Sequence, residues 1–230
     1  MSNLELARQW ENEARRLEER LDDPKIFGVK CWYSDAALIS NDAERAFIGI
    51  NPGGGPESEK EDSIGDRLER PYTRKGYNSW LDDDWWEGGE KRQRNVRRSF
   101  EAMYGASAES KLRLTASFNV VPFRTRNAAD LSDRAWREGT AWFMNVLTHI
   151  DPKLIICNGN GENGSPWSVI DTKFSISRRH QIEIGAKGSV KEGVVNSGQL
   201  KGCRIIGLPN LSRFGRESLY SALGSLKPFT

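Results

Sequence analysis

Three asparagines carry the chemistry that this sequence can offer. Asn51 follows the apolar run Ala46-Phe47-Ile48-Gly49-Ile50 and precedes Pro52. Asn119 follows Ser117-Phe118 and precedes Val120-Val121-Pro122. Asn210 follows the run from Cys203 to Leu208 and Pro209. Each run has the length of a buried strand, and the polar residue with a nearby proline marks its end. Ligands of open α/β sheets bind beyond the carboxyl ends of the strands. Three carboxamides could then converge on one edge. A carboxamide offers two donors and an acceptor without charge, which suits reading a nucleobase edge and holding a water. Asparagine is also a good turn residue after a strand, and for each residue taken alone that alternative stands.

The elements that must position these residues alternate. Residues 4–21 predict an amphipathic helix, with Trp10, Ala14, Leu17 and Leu21 at helical spacing. Strand one follows and opens into Gly53-Gly54-Gly55. Residues 57–90 have little periodicity but carry Tyr72, Tyr77, Trp80, Trp85 and Trp86, an aromatic-bearing loop of a kind that is more often functional than idle. A helix over 92–104 presents Val96, Phe100, Met103 and Tyr104. Residues 112–121 read as strand two, and Ser132 N-caps a helix that Pro152 closes. Residues 154–157 read as strand three, 166–173 as a short helix, 174–195 as a polar stretch alternating like an edge hairpin, 203–208 as strand four and 217–226 as a last helix. The expected fold is α/β: one domain over 1–230, three-layered α/β/α around a central four-stranded, mostly parallel sheet.

Composition narrows the function classes. The chain has 230 residues with 37% hydrophobic and 29% charged, which supports a core but a lean one. No run approaches the roughly 20 apolar residues of a membrane span, and the charged N-terminus lacks the apolar run of a signal peptide. Cys31, Cys157 and Cys203 are odd in number and widely spaced, and read as reduced core residues of a cytoplasmic protein. With only His149 and His180 beside them, no metal centre is expected. No cofactor motif stands out, and no oligomer is required. The net charge is +2, too small to identify a nucleic-acid partner by itself. Arg124, Arg126, Arg213 and Arg216 nevertheless lie in or beside predicted loops, where they would suit a phosphate backbone. A solvated, salt-bridged surface is the alternative for each basic cluster.

Gly49-Ile50-Asn51-Pro52-Gly53 is identical to the motif that opens the active site of mismatch-specific uracil-DNA glycosylases, and is similar to that of thymine-DNA and single-strand-selective glycosylases. Leu208-Pro209-Asn210-Leu211-Ser212-Arg213 resembles the closing motif of the mismatch-specific branch, shortened by three residues. Pro71-Tyr72 with Asn78 and Trp80 is similar to another motif of that branch. Asn119-Val120-Val121-Pro122 resembles the Asn-x-x-Pro of the single-strand-selective branch. The pieces occur in family order from residue 46 to the final helix. The N-terminal helix and much of 57–90 have no counterpart.

The resemblance implies a DNA partner and cleavage of the C1′–N bond of a flipped pyrimidine, leaving an abasic site. It implies that Asn51 positions the attacking water and that Asn210 lies beside the base or sugar. Ile50, Pro52 and Gly53 would line the base, Tyr72 would stack on it and Asn119 would read its edge. Leu211, Ser212, Arg213 and Phe214 would form the wedge, with Arg213, Arg216 and Arg124 on DNA. The chain departs from the family in its shortened closing loop and in Gly54-Gly55, where relatives carry a bulkier residue. Glycines leave volume, so a larger modified pyrimidine, such as one carried by phage DNA in a defence setting, is an alternative substrate. A non-catalytic DNA- or nucleotide-binding module is the rival of another class. A phosphate-binding nucleotidase is a weaker one, because the loop lacks a P-loop's Gly-Lys-Ser/Thr ending. No lysine falls at a strand end, so simple hydrolysis is expected in place of a lyase step.

Overall fold

A computed structural model describes residues 1–40, 43–54, 67–84, 90–185 and 188–226, and the side chains of Glu90 and Arg179 are not described. Eight α-helices and six strands are described in chain order: α1 Asn3–Leu21, β1 Arg45–Gly49, α2 Arg70–Thr73, α3 Ser79–Asp82, α4 Glu90–Tyr104, α5 Ala108–Arg113, β2 Thr115–Asn119, α6 Asp133–Ile150, β3 Leu154–Asn158, α7 Pro166–Phe174, β4 Ile176–Glu183, β5 Ser189–Val195, β6 Arg204–Leu208 and α8 Glu217–Ser225. Short 3₁₀ turns join some of them.

The strands form one mixed sheet in the order β2-β1-β3-β6-β5-β4. The first four of these are parallel. β5 runs antiparallel to β6, and β4 antiparallel to β5. The expectation of four strands is therefore corrected to six. The polar stretch 174–195 is a hairpin that extends the same sheet. Its alternation was readable, but nothing in the sequence assigns it to the β6 edge.

The period-2 geometry of strands divides the core in two. Ala46, Ile48, Ala116, Phe118, Ile155, Cys157 and Ile205 face one side, where α1, α6 and α7 bring Ala14, Leu17, Trp142, Phe143, Trp167 and Ile170. Phe47, Leu154, Ile156, Ile206 and Leu208 face the other, against Val96, Phe100, Leu112, Leu219 and Leu223 of α4, α5 and α8. The parallel strands are buried on both faces, which explains their near-continuous apolar runs.

Local chemistry sets the helix ends. Ser2 and Glu5 form a capping box on α1, and Ser132 accepts from the Ala135 N–H on α6. Asp22 and Asp151 close these two helices in the left-handed region, at φ 47° and 48°. The sequence did not suggest α5. Leu112, expected in strand two, is instead, with Ala108, a buried residue of a helix that ends just before Thr115.

The described part of 57–90 is built into the core. Asn78 caps α3 and donates to the Leu112 carbonyl at 2.8 Å. Asp83 accepts from Tyr77 Oη, Ser79 Oγ and Arg70 Nη1 at 2.5, 2.7 and 2.6 Å. Tyr77 and Trp80 are buried core residues. Trp85, Trp86 and Gly55 lie outside the described residues. Among the described residues, no helix is long and apolar enough to cross a membrane.

Two predictions follow from the packing. A Cβ on Gly193 of β5 would lie 2.4 Å from Ile176 Cγ2 and 2.7 Å from the Ser177 carbonyl oxygen. The second is backbone and cannot turn aside. Gly193→Ala is expected to cost about 1–3 kcal/mol in urea unfolding. Cys31, Cys157 and Cys203 are free and buried. Burial pushes all three thiols up, Cys203 to about 12. A disulfide-exchange reagent at pH 8 should leave the native thiols essentially unreacted and titrate all of them in denaturant.

Candidate active site

The parallel register aligns the strand ends. Gly49 pairs with Asn119, and Asn158 pairs with Leu208. At about 4.8 Å per strand, the β2 and β6 ends lie roughly 14 Å apart along the edge. That distance cannot place all the carboxamides on one atom, but a nucleotide can span it.

Asn51 lies two residues beyond β1 and is 9% exposed. Its Nδ2 donates to Thr125 Oγ1 at 2.9 Å, and Thr125 Oγ1 donates to the Asn127 carbonyl at 2.7 Å. The hydroxyl proton is thus committed to Asn127, so Thr125 can only accept from Asn51. This fixes which way the carboxamide faces. Among the described residues no donor reaches Asn51 Oδ1, which is left as an acceptor.

Asn119 lies directly over Gly49. Its Oδ1 is 2.1 Å from the point a Gly49 Cβ would occupy, so only glycine permits this approach. The Arg92 Nη2 is 3.0 Å from the same point. Asn119 is buried and its Nδ2 has no hydrogen-bond partner among the described residues; the Nε of half-buried Arg92 has none either. The Arg92 guanidinium lies 5.4 Å over the Trp80 ring, which stacks on Tyr33 at 5.5 Å. Burial pushes Arg92 below its ordinary range, and Tyr33 acts the other way. A buried donor without a partner costs about 1–3 kcal/mol, so this corner of the edge is incomplete without an acceptor.

A cleft of about 860 Å³, within the size range of ligand sites, opens at Ile50 on the β3–β6 side of the edge; Asn51, Pro52, Gly53 and Asn119 do not line it. Ile50, Gly159, Asn160, Ser165, Pro209 and Asn210 are among the residues lining it, and Arg213, Phe214 and Arg216 stand at the same wall. Asn210 is half-buried, and its Oδ1 accepts from the Ser212 N–H at 3.0 Å and the Ser212 hydroxyl at 2.6 Å. The Arg216 guanidinium sits 5.4 Å over the Phe214 ring. Phe214 packs on Gly188, where a Cβ would lie 3.0 Å from the ring. Ser212, Arg213 and Arg216 are exposed.

Three sequence-based expectations need correcting. Leu211 is fully buried and not an exposed wedge. Its N–H donates to Asn158 Oδ1 at 2.8 Å, and its carbonyl accepts from Asn95 Nδ2 at 2.8 Å. Arg124 is 2% exposed, and its Nη1 donates to the Gly53 carbonyl at 3.0 Å, bracing the glycine loop in place of meeting solvent. Tyr72 packs on α1. Arg8 lies 3.5 Å over its ring, and its hydroxyl donates to Glu11 and accepts from Trp32 Nε1. Burial and the Glu11 carboxylate push the Tyr72 hydroxyl up. It does not line the cleft.

Pro52 is buried and Gly53 half-buried. Gly53 and Gly54 have φ of 70° and 95°, so the backbone itself requires glycine there. Beyond Gly53 a Cβ would meet nothing within 4 Å.

Sequence reading missed Thr125, Arg92, Asn95 and Asn158. Arg92 had a signal: it stands four residues before Val96 and eight before Phe100, on the buried stripe of α4. No known protein family model matches the chain, and no curated protein is similar to it in sequence.

Asn95 also accepts from Tyr220 Oη at 3.0 Å, so it ties α4, α8 and the closing loop together. Asn95→Ala should cost about 1–3 kcal/mol by orphaning these groups. Limited proteolysis between 210 and 216 should accelerate; an unchanged digestion rate would show that Asn95 does not hold the loop.

Proposed function

We propose that this protein is a monofunctional DNA glycosylase of the uracil-DNA glycosylase type, hydrolysing the N-glycosidic bond of a flipped, uracil-like or modified pyrimidine. The observation that carries the reading is the Asn51 carboxamide, fixed by Thr125 with its oxygen left as an acceptor at the sheet edge. A neutral amide is no strong base. It works by orientation: Oδ1 accepts from a water, whose lone pair is aimed at C1′ as the bond to the base breaks. Asn119 Nδ2 supplies a donor for the base edge. Asn210, across the edge in the cleft, stands where the sugar and the displaced strand would pass. Arg213 and Arg216 suit phosphates, which set position without reading sequence.

The open space beside Gly53 and the 860 Å³ cleft favour a second substrate, a pyrimidine enlarged by modification. A duplex and single-strand panel carrying uracil, G·U, G·T and modified bases separates the two.

Asn51→Ala is expected to slow single-turnover base release by about 100-fold or more, and Thr125→Val to slow it less while leaving DNA affinity intact. Borohydride should trap no protein–DNA adduct. An Asn51→Ala variant as fast as the parent would remove Asn51 from the chemistry. DNA binding with no base released from any substrate would make the protein a binding module.

A further inference from the structure

We infer that Arg92 and Asn119 form the site that receives the excised base as its anion, which makes Arg92 the leaving-group residue of the reaction proposed above. The inference rests on that reading for its substrate and on independent geometry for its location.

When the C1′–N bond breaks, its electron pair stays with the base. The base departs as an anion whose charge spreads from the ring nitrogen onto the exocyclic oxygens. The attacking water adds to C1′ and gives up a proton, which neutralises the base on release. The hydrolysis therefore balances without a co-reactant. It does need positive charge near the base in a site poor in water, where such charge acts strongly.

Arg92 supplies that charge. A guanidinium stays protonated, and no carboxylate pairs with this one among the described residues. Arg45, which is buried, pairs with Glu44, and buried Arg124 is taken up by the Gly53 carbonyl. Arg213 and Arg216 are exposed, so solvent and salt screen them. Asn210 is neutral, with its oxygen committed to Ser212.

The position fits as well. Arg92 Nη2 and Asn119 Oδ1 both crowd the space above Gly49, two residues before Asn51. Asn119 Nδ2 has no hydrogen-bond partner among the described residues. One exocyclic oxygen of the anion could take Arg92 while Nδ2 donates to the other. The Arg92 Nε has no hydrogen-bond partner among the described residues.

Two measurements test this. Single-turnover excision is compared for uracil and 5-fluorouracil in the same oligonucleotide, since the fluoro substituent stabilises the departing anion by itself. Arg92→Met should slow uracil release by about 100-fold or more and 5-fluorouracil release far less, and Arg92→Lys should restore part of the loss. Equal loss for both bases, or no loss, overturns the assignment. Free 5-fluorouracil is also titrated calorimetrically at a pH where it is ionised. The parent chain should bind it and Arg92→Met should not. Equal binding by both, or by neither, overturns the anion site. If the parent excises neither base, the glycosylase reading fails for uracil-type substrates while the titration still decides the anion site. Arg92→Met should leave Tm close to the parent's, because the half-buried guanidinium has no ion-pair partner among the described residues.

Discussion

The close approach at Gly49 is the constraint on which the edge depends. The parallel pairing of β1 and β2 puts Gly49 opposite Asn119, and the missing side chain at Gly49 admits the Asn119 carboxamide into the space a Cβ would fill. Any larger residue would push Asn119 out and away from Arg92. Register, glycine and carboxamide thus form one device. Because a sheet register cannot slip by one residue without turning every side chain to the other face, the two apolar layers that fix the register also fix this corner.

The asparagines at the strand ends divide by role once their partners are known. Asn158 spends its oxygen on the Leu211 N–H, and Asn210 spends its own on Ser212. These two build the closing loop. Asn51 and Asn119 each keep one group uncommitted, an acceptor and a donor respectively. A folded chain normally satisfies its buried polar groups. Turn chemistry accounts for the oxygens of Asn158 and Asn210; it does not account for Asn119, whose buried Nδ2 has no partner among the described residues.

How much was legible follows the range of the interactions. Caps, apolar periodicity and proline stops are local, and α1, α6, α7 and the parallel strands could be read within a few residues of their ends. The joining of β4 and β5 to the sheet could not, since it depends on which edge remains open. Site residues divide the same way. The place of Asn51 just beyond a buried strand was visible from its neighbours. The burial of Leu211 depends on Asn158 and Asn95, and that of Arg124 on Gly53, partners far away in sequence. An arginine in a loop and a leucine after an asparagine look exposed until such partners are known. Arg92 was missed for the opposite reason: its charged neighbours in α4 hid its place on the buried stripe.

The hairpin that the sequence could not assign also stiffens the cleft. Asn160 Nδ2 donates to the carbonyls of Ser189 in β5 and Gly207 in β6, at 2.6 and 3.0 Å. Lys191 Nζ donates to the Asn160 carbonyl at 2.9 Å. Gly207 itself is hemmed in, since a Cβ there would lie 2.6 Å from Trp167. One wall of the cleft is thereby fastened to two strands and a helix, while Phe214 on Gly188 ties the hairpin turn to the closing loop. A site held in this way is formed before its ligand arrives. Selectivity then comes from shape and from the groups left unpaired. Under the proposed function, an occupant of the cleft meets a wall already in place, and the acceptors it brings to Asn119 and Arg92 act at the neighbouring β1–β2 end of the edge.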